Sequence, residues 1–153
     1  MPEERGLIGW WKKAVFENYA NFSGRARRSE YWFFTLFNFL VNVAVNLLVR
    51  LFGGSTALLG TSETLPFVAM AIFGLFFLFA LVMLIPSLAV SVRRLHDTGR
   101  SGWNLLWSLL PIIGTIVLIV FFATEGQPGR NKYGPNPKFP ARDDVVDHFG
   151  AAV

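Results

Sequence analysis

Three apolar runs, at residues 31–52, 65–92 and 103–123, constrain this chain more than anything else in it. The first, YWFFTLFNFLVNVAVNLLVRLF, would be about 33 Å long as a helix, enough to cross a hydrocarbon core of about 30 Å. Its one formal charge, Arg50, lies close enough to the end to snorkel to the interface. The second run has no formal charge and would reach about 42 Å, so it must tilt, kink or project into water. Pro86 is the expected kink, and Thr64 and Pro66 suit the start of that helix. The third would be about 31 Å long, with Pro111 and Gly114 near its middle. Barrel strands are about ten residues long and alternate apolar with polar, which these runs do not. Nor does any run show the polar face of a helix in a soluble protein. The expected fold is an all-α membrane protein, with three transmembrane helices in a single domain over residues 1–140.

Composition points the same way. Apolar residues make up 53% of the chain and charged residues 16%, where a soluble domain carries about 25% charged. Cysteine is absent, which excludes disulfides, thiolate metal sites and cysteine nucleophiles. The pI near 9.9 comes from Lys and Arg beside apolar runs. Anionic headgroups of membrane lipids are therefore the expected partner, and nucleic acid is not. The first run lies behind a polar segment and lacks a small-residue cleavage motif, so it is expected to remain as an anchor.

Ahead of it, residues 7–22 place Leu7, Trp11, Val15, Tyr19 and Phe22 at helical spacing, with Lys13, Glu17 and Asn21 opposite. That pattern predicts an amphipathic helix lying in the headgroup plane. The link at 53–64 reads as a Gly/Ser/Thr loop without Lys or Arg. After residue 123 the chain is rich in Gly and Pro and reads as an extended tail. Residues 126–137 are expected to cap the bundle, and 141–153 to be disordered or a short helix.

Lys and Arg near span ends are retained in the cytoplasm. Arg5, Lys12, Lys13, Arg25, Arg27 and Arg28 precede the first run, and Arg93, Arg94 and Arg100 separate the second from the third. Three crossings then place the N-terminus in the cytoplasm and the C-terminus outside. The rival is a re-entrant hairpin broken at Pro111 and Gly114, which returns Arg130, Lys132, Lys138 and Arg142 to the cytoplasm. Full crossing is preferred, because a lipid-exposed break leaves backbone groups unpaired.

Two polar stretches share a grammar, NFSGRARRSEYW at 21–32 and RRLHDTGRSGW at 93–103. In the second, Arg93 stands four residues before Asp97, Thr98-Gly99 is a helix stop, and Ser101 suits the cap of the next helix. Both stretches fall on the cytoplasmic side. Glu30 and Asp97 are each expected to pair with an arginine of the opposite stretch, in a polar network with His96 and Ser101. The surplus among Arg25, Arg27, Arg28, Arg93, Arg94 and Arg100 would bind lipid phosphate or a membrane partner. The competing reading is a helix–helix corner whose basic rim reflects insertion alone.

Asn38, Asn42 and Asn46 recur every four residues on the first run, with Arg50 next. Amides are costly against lipid, so the row should face the bundle, toward Asn104, Ser108 and Thr115, or another copy of the chain. As a polar path it would need a homo-oligomer, because three spans enclose little lumen. His96, Asp97 and Ser101 include the residue types of a hydrolase triad. Adjacent helix residues point about 100° apart, however, so Asp97 is badly placed to orient the ring. There is no nucleophile elbow, phosphate loop or metal-ligand spacing, and the other histidine, His148, lies in the tail. No catalysis, cofactor or metal is expected.

Three ordered motifs, NFSGRARRSEYW, RRLHDTGRSGW and the tail's G-x-x-G-x-N-x-Y-G-x-N-P, resemble the domain of unknown function 805 family of YhaH-like bacterial inner-membrane proteins. The resemblance covers residues 15–140. Family members often carry Asp at the position of Asn136 and Trp at that of Asn104. It implies a multi-pass plasma-membrane protein and supplies no activity. The expectation is a non-enzymatic protein that binds anionic lipid or a membrane partner through its arginine cluster. The alternatives are a small oligomeric transporter or channel using the asparagine row and, less favoured, a lipid-modifying enzyme.

Overall fold

A computed structural model of the chain describes residues 6–59 and 64–139, with side chains at 6–51 and 70–139. Its helices are α1 (Leu7–Lys12), α2 (Arg28–Leu59), α3 (Thr64–Asp97) and α4 (Ile113–Ala123), with a 3-10 helix at Gly102–Leu109. Strand-like pairing among the described residues is confined to an isolated bridge between Asn131 and Gly134.

α2 and α3 hold 32 and 34 residues, about 48 and 51 Å of helix. They form an antiparallel pair, the start of α2 lying beside the end of α3. Arg28–Leu51 and Met70–Asp97 are long and apolar enough to cross a membrane. The loop expected at 53–64 is corrected: the chain is helical to Leu59 and again from Thr64. Two glycines there cost about 1 kcal/mol each in helix propensity, but lipid offers no other partner for their backbone groups.

α3 runs through Pro86. The ring leaves the Val82 carbonyl without its helical donor, and the Tyr19 hydroxyl donates to it at 2.8 Å. The Ser87 and Ser91 hydroxyls donate to the Met83 and Ser87 carbonyls one turn back.

The third apolar run, expected as one crossing helix over 103–123, is instead a hairpin. After the 3-10 helix the chain turns, and α4 has only 11 residues, about 16 Å. At the turn, Ile113 N donates to the Pro111 carbonyl at 2.8 Å across Ile112. Ile112 has φ 65° and ψ −66°, the strained form of the γ-turn. Gly114 lies so close to the Trp107 carbonyl that a Cβ there would collide with it. Both ends of the hairpin sit at the end of α3. Gly99, with φ 76°, closes α3 with its N–H on the His96 carbonyl and that of Arg100 on the Leu95 carbonyl. Beyond α4, Gln127 N donates to the Asp97 carbonyl at 2.8 Å. Pro111 and Gly114 thus divide a run whose composition alone reads as continuous.

The amphipathic helix expected over 7–22 is shorter. α1 continues as a π-helical turn, Lys13–Glu17, and stops where the Asn18 amide and backbone N–H both bond the Lys13 carbonyl. The wider turn shifts the buried face to Trp10, Ala14 and Val15. Tyr19 and Phe22 lie beyond the helix. Trp11 packs on Phe37 of α2 with ring centroids 4.7 Å apart.

One core cluster joins Ala14, Val15, Ala26, Phe34 and Val90, and a second joins Leu95, Leu118 and Phe122. Both sit at the same end of the bundle. Farther along α2 and α3, Phe39, Leu51, Met70, Leu75 and Phe77 are exposed, an apolar surface that suits hydrocarbon as solvent.

Candidate functional site

Five charged side chains are buried where α2 begins and α3 ends: Arg25, Glu30, Arg93, Arg94 and Asp97. Glu30 occupies the first turn of α2 and Arg94 the last turn of α3, placements that the helix dipoles favour. Arg93 donates through Nη1 to Glu30 at 2.5 Å, with Lys13 Nζ 3.9 Å from the other carboxylate oxygen. Asp97 is shared. Arg25 Nε donates to one of its oxygens at 2.9 Å and Arg94 Nη1 to the other. Arg94 also donates to the carbonyls of Phe122, at 3.0 Å, and Thr124, tying the end of α4 to α3.

Arg25 has a second task. Its Nη2 donates to the Gln127 carbonyl at 2.5 Å and its Nη1 to the Gly129 carbonyl at 2.6 Å. One guanidinium thereby joins the stretch before α2, the end of α3 and the tail. His96 stands beside it. Its Nδ1 lies 3.2 Å from the Gly24 carbonyl, which only accepts, so Nδ1 carries the hydrogen. The ring stacks on Tyr133 with centroids 3.7 Å apart and planes 5° apart. Asn131 Nδ2 donates to the His96 carbonyl at 2.9 Å. Gly126 faces the Asp97 carboxylate, where a Cβ would not fit. The tail is thus a folded cap of turns rather than extended chain; residues 141–153 lie outside the described residues.

Each carboxylate meets an arginine of the opposite stretch. Burying such pairs costs desolvation, and the hydrogen bonds around them offset it only while every member is present. Arg93 Nε and Nη2 are buried without a partner among the described residues. The cavity between Arg28, Asp97, Glu125 and Lys138 is about 30 Å³, room for water alone.

This geometry corrects part of the expected lipid cluster. Arg25, Arg93 and Arg94 are buried and donate to carboxylates and carbonyls of their own chain rather than lying on the surface. Arg28 is exposed and pairs with Glu125 at 2.6 Å. Arg27 lies 5.5 Å over the Trp10 ring and Arg100 4.1 Å over Phe121. Ser101 stands outside the network, accepting from Trp103 N at 3.4 Å as the cap of the 3-10 helix. Asp97 faces arginines and His96 faces Gly24 and Tyr133, so the triad types do not converge.

The asparagine row also differs. Asn38 donates to the Phe34 carbonyl and Asn46 to the Asn42 carbonyl and side chain, all within α2. Asn104 bonds the Ser101 carbonyl instead of reaching the row. No role was legible in the sequence for the cap residues Gln127, Gly129, Asn131 and Tyr133, although the last three are letters of the tail motif. The density of turn formers marked the cap, but Gln127 and Gly129 meet Arg25 through their carbonyls, which no residue type announces.

Comparison with known proteins adds the family. The model described as "Protein of unknown function (DUF805)" matches residues 19–135. The chain is 45% identical over 130 residues to "Inner membrane protein YhaI" of Escherichia coli (strain K12), covering 84% of this chain and 96% of that protein. It is 39% identical over 128 residues to "Inner membrane protein YhaH" of the same strain, again covering 84% and 96%. "Uncharacterized protein YiiR" of that strain is 38% identical over 82 residues, 37% of this chain and 56% of that protein. No solved structure matches. The relatives and the apolar helices together support a membrane location. With three motifs meeting in one ionic centre inside the matched span, the chain belongs to the DUF805 family of bacterial membrane proteins.

Proposed function

We propose that this is a non-enzymatic inner-membrane protein that holds an anionic phospholipid beside its ionic centre. The observation that carries this reading is a groove of about 500 Å³ between the end of α3 and the 3-10 helix. His96 and Ser101 line it with polar atoms, and Phe22, Val92, Trp103 and Leu106 with apolar ones. A phospholipid divides in the same way between headgroup and chain. Arg100 immediately precedes Ser101. Within residues 6–51 and 70–139, Arg50 aside, eleven Lys and Arg face four Asp and Glu, and they gather at the groove's end of the bundle. The field there favours an anion.

The same charges favour a cytoplasmic location for that end, with α2 and α3 crossing and the α4 hairpin re-entering from one side. At about 16 Å, α4 reaches only half of a hydrocarbon core of about 30 Å. Both ends of the described chain then lie in the cytoplasm.

Native mass spectrometry in nanodiscs of mixed phosphatidylglycerol and phosphatidylcholine tests the lipid reading. The unaltered protein should retain the anionic lipid preferentially, and Arg100→Gln with Trp103→Ala should lose that preference. Equal retention of both lipids by the unaltered protein overturns it. For topology, Lys12→Cys and Lys132→Cys, each the single cysteine of its chain, should react with an impermeant maleimide from the same face of the membrane. Reaction from opposite faces would mean three crossings.

A further inference from the structure

We infer that the asparagine row of α2 is an interface with a second copy of this chain inside the membrane. Asn38, Asn42 and Asn46 follow one another at four-residue steps, so they share one flank of the helix over about 12 Å. The row begins in a cleft of about 210 Å³ lined by Tyr31, Thr35, Asn38, Ser87 and Ser91. Asn42 and Asn46 are exposed, within the stretch of α2 that is apolar enough to cross a bilayer.

The hydrogen-bond inventory is incomplete in one chain. Asn38 Oδ1 is buried inside the chain, so the amides that can meet a neighbour are those of Asn42 and Asn46. Asn46 directs its Nδ2 at Asn42, which leaves the Asn46 Oδ1 acceptor and the Asn42 Nδ2 donors unmatched among the described residues. Lipid tails supply neither donors nor acceptors, and polar groups left bare in hydrocarbon are costly. The hairpin does not cover them, because Asn104 bonds the Ser101 carbonyl and the cleft is lined by α2 and α3 alone.

A second copy satisfies the row for a geometric reason. Copies inserted in the same direction relate by an axis along the membrane normal, which sets each row against itself. An amide both donates and accepts, so such a row complements its own image. Leu, Val and Phe side chains flanking the amides, among them Phe39 and Val43, are exposed and supply apolar contact. The cleft at the start of this row shares no lining residue with the lipid groove.

Because the chain has no cysteine, single substitutions read the interface directly. Asn42→Cys or Asn46→Cys leaves two amides in place. Each should give disulfide-linked dimers on mild oxidation in isolated membranes, while Leu40→Cys and Leu47→Cys, on the opposite flank, should not. In a cysteine-free chain, Asn42→Leu with Asn46→Leu should weaken association about tenfold by native mass spectrometry, the order expected of an interhelical amide bond. Asn42→Gln with Asn46→Gln should largely retain it. Cross-links of equal yield on both flanks, cross-links only at Leu40 and Leu47, or an unaltered protein that leaves the membrane only as monomer would each overturn the inference.

Discussion

The Tyr19 hydroxyl donates at 2.8 Å to the Val82 carbonyl, the acceptor that Pro86 deprives of its helical partner. A residue ahead of α2 thereby repairs a break in α3. Tyr19→Phe should destabilise the protein by about 1–2 kcal/mol, read as a shift in its SDS-unfolding midpoint. In a Pro86→Ala background, where residue 86 supplies its own N–H, the same change should cost much less. Equal costs in both backgrounds would show that the hydroxyl does not serve the freed carbonyl.

Asp97 holds two arginines, and its loss strands both. Asp97→Asn should cost about 3–5 kcal/mol, because Arg25 and Arg94 remain buried without a counter-charge. Glu30→Arg should be similarly damaging, since it sets two arginines against each other at the Arg93 contact. Adding Arg93→Glu should recover part of the loss, measured by yield of folded protein in detergent. No recovery would mean that the sites are not coupled as a pair.

The hairpin rests on Gly114 and on a strained Ile112. Gly114→Ala should force the 3-10 helix away from α4, because the obstructing atom is the Trp107 backbone carbonyl. Ile112→Gly should stabilise the turn by about 1 kcal/mol, since glycine adopts φ 65° without the Cβ penalty. Spin labels at the two ends of the hairpin would report the separation. A Gly114→Ala protein with unchanged distances would refute the close contact.

Glu125 makes the cap sensitive to acid. Hydrogen bonds from Lys138 and then Arg28 hold its carboxyl below the usual glutamate value. A depressed acid adds stability above its unfolded pKa, and that stability disappears as pH falls through the folded value. The tail should therefore loosen only once the pH falls below the ordinary glutamate range, seen as faster motion of a spin label at Arg130→Cys. The contacts are exposed, so the effect should be small and should shrink in 1 M salt. Glu125→Gln should abolish the acid step.

Residues 31–52 and 65–92 announced the two long helices, because an unbroken apolar run fits helix in hydrocarbon and little else. Glu30, Asp97 and the arginines were legible as opposite charges in two similar stretches, and Gly99 as a helix stop. What those residues alone left open was the shape of the third apolar run and the use of each arginine. Pro111 and Gly114 allow either a kinked span or a hairpin, and the choice turns on Arg94 holding the Phe122 and Thr124 carbonyls and on Asp97 receiving Gln127. Local sequence sets which groups need partners. Only the fold decides which carbonyl, tens of residues away, arrives to meet them.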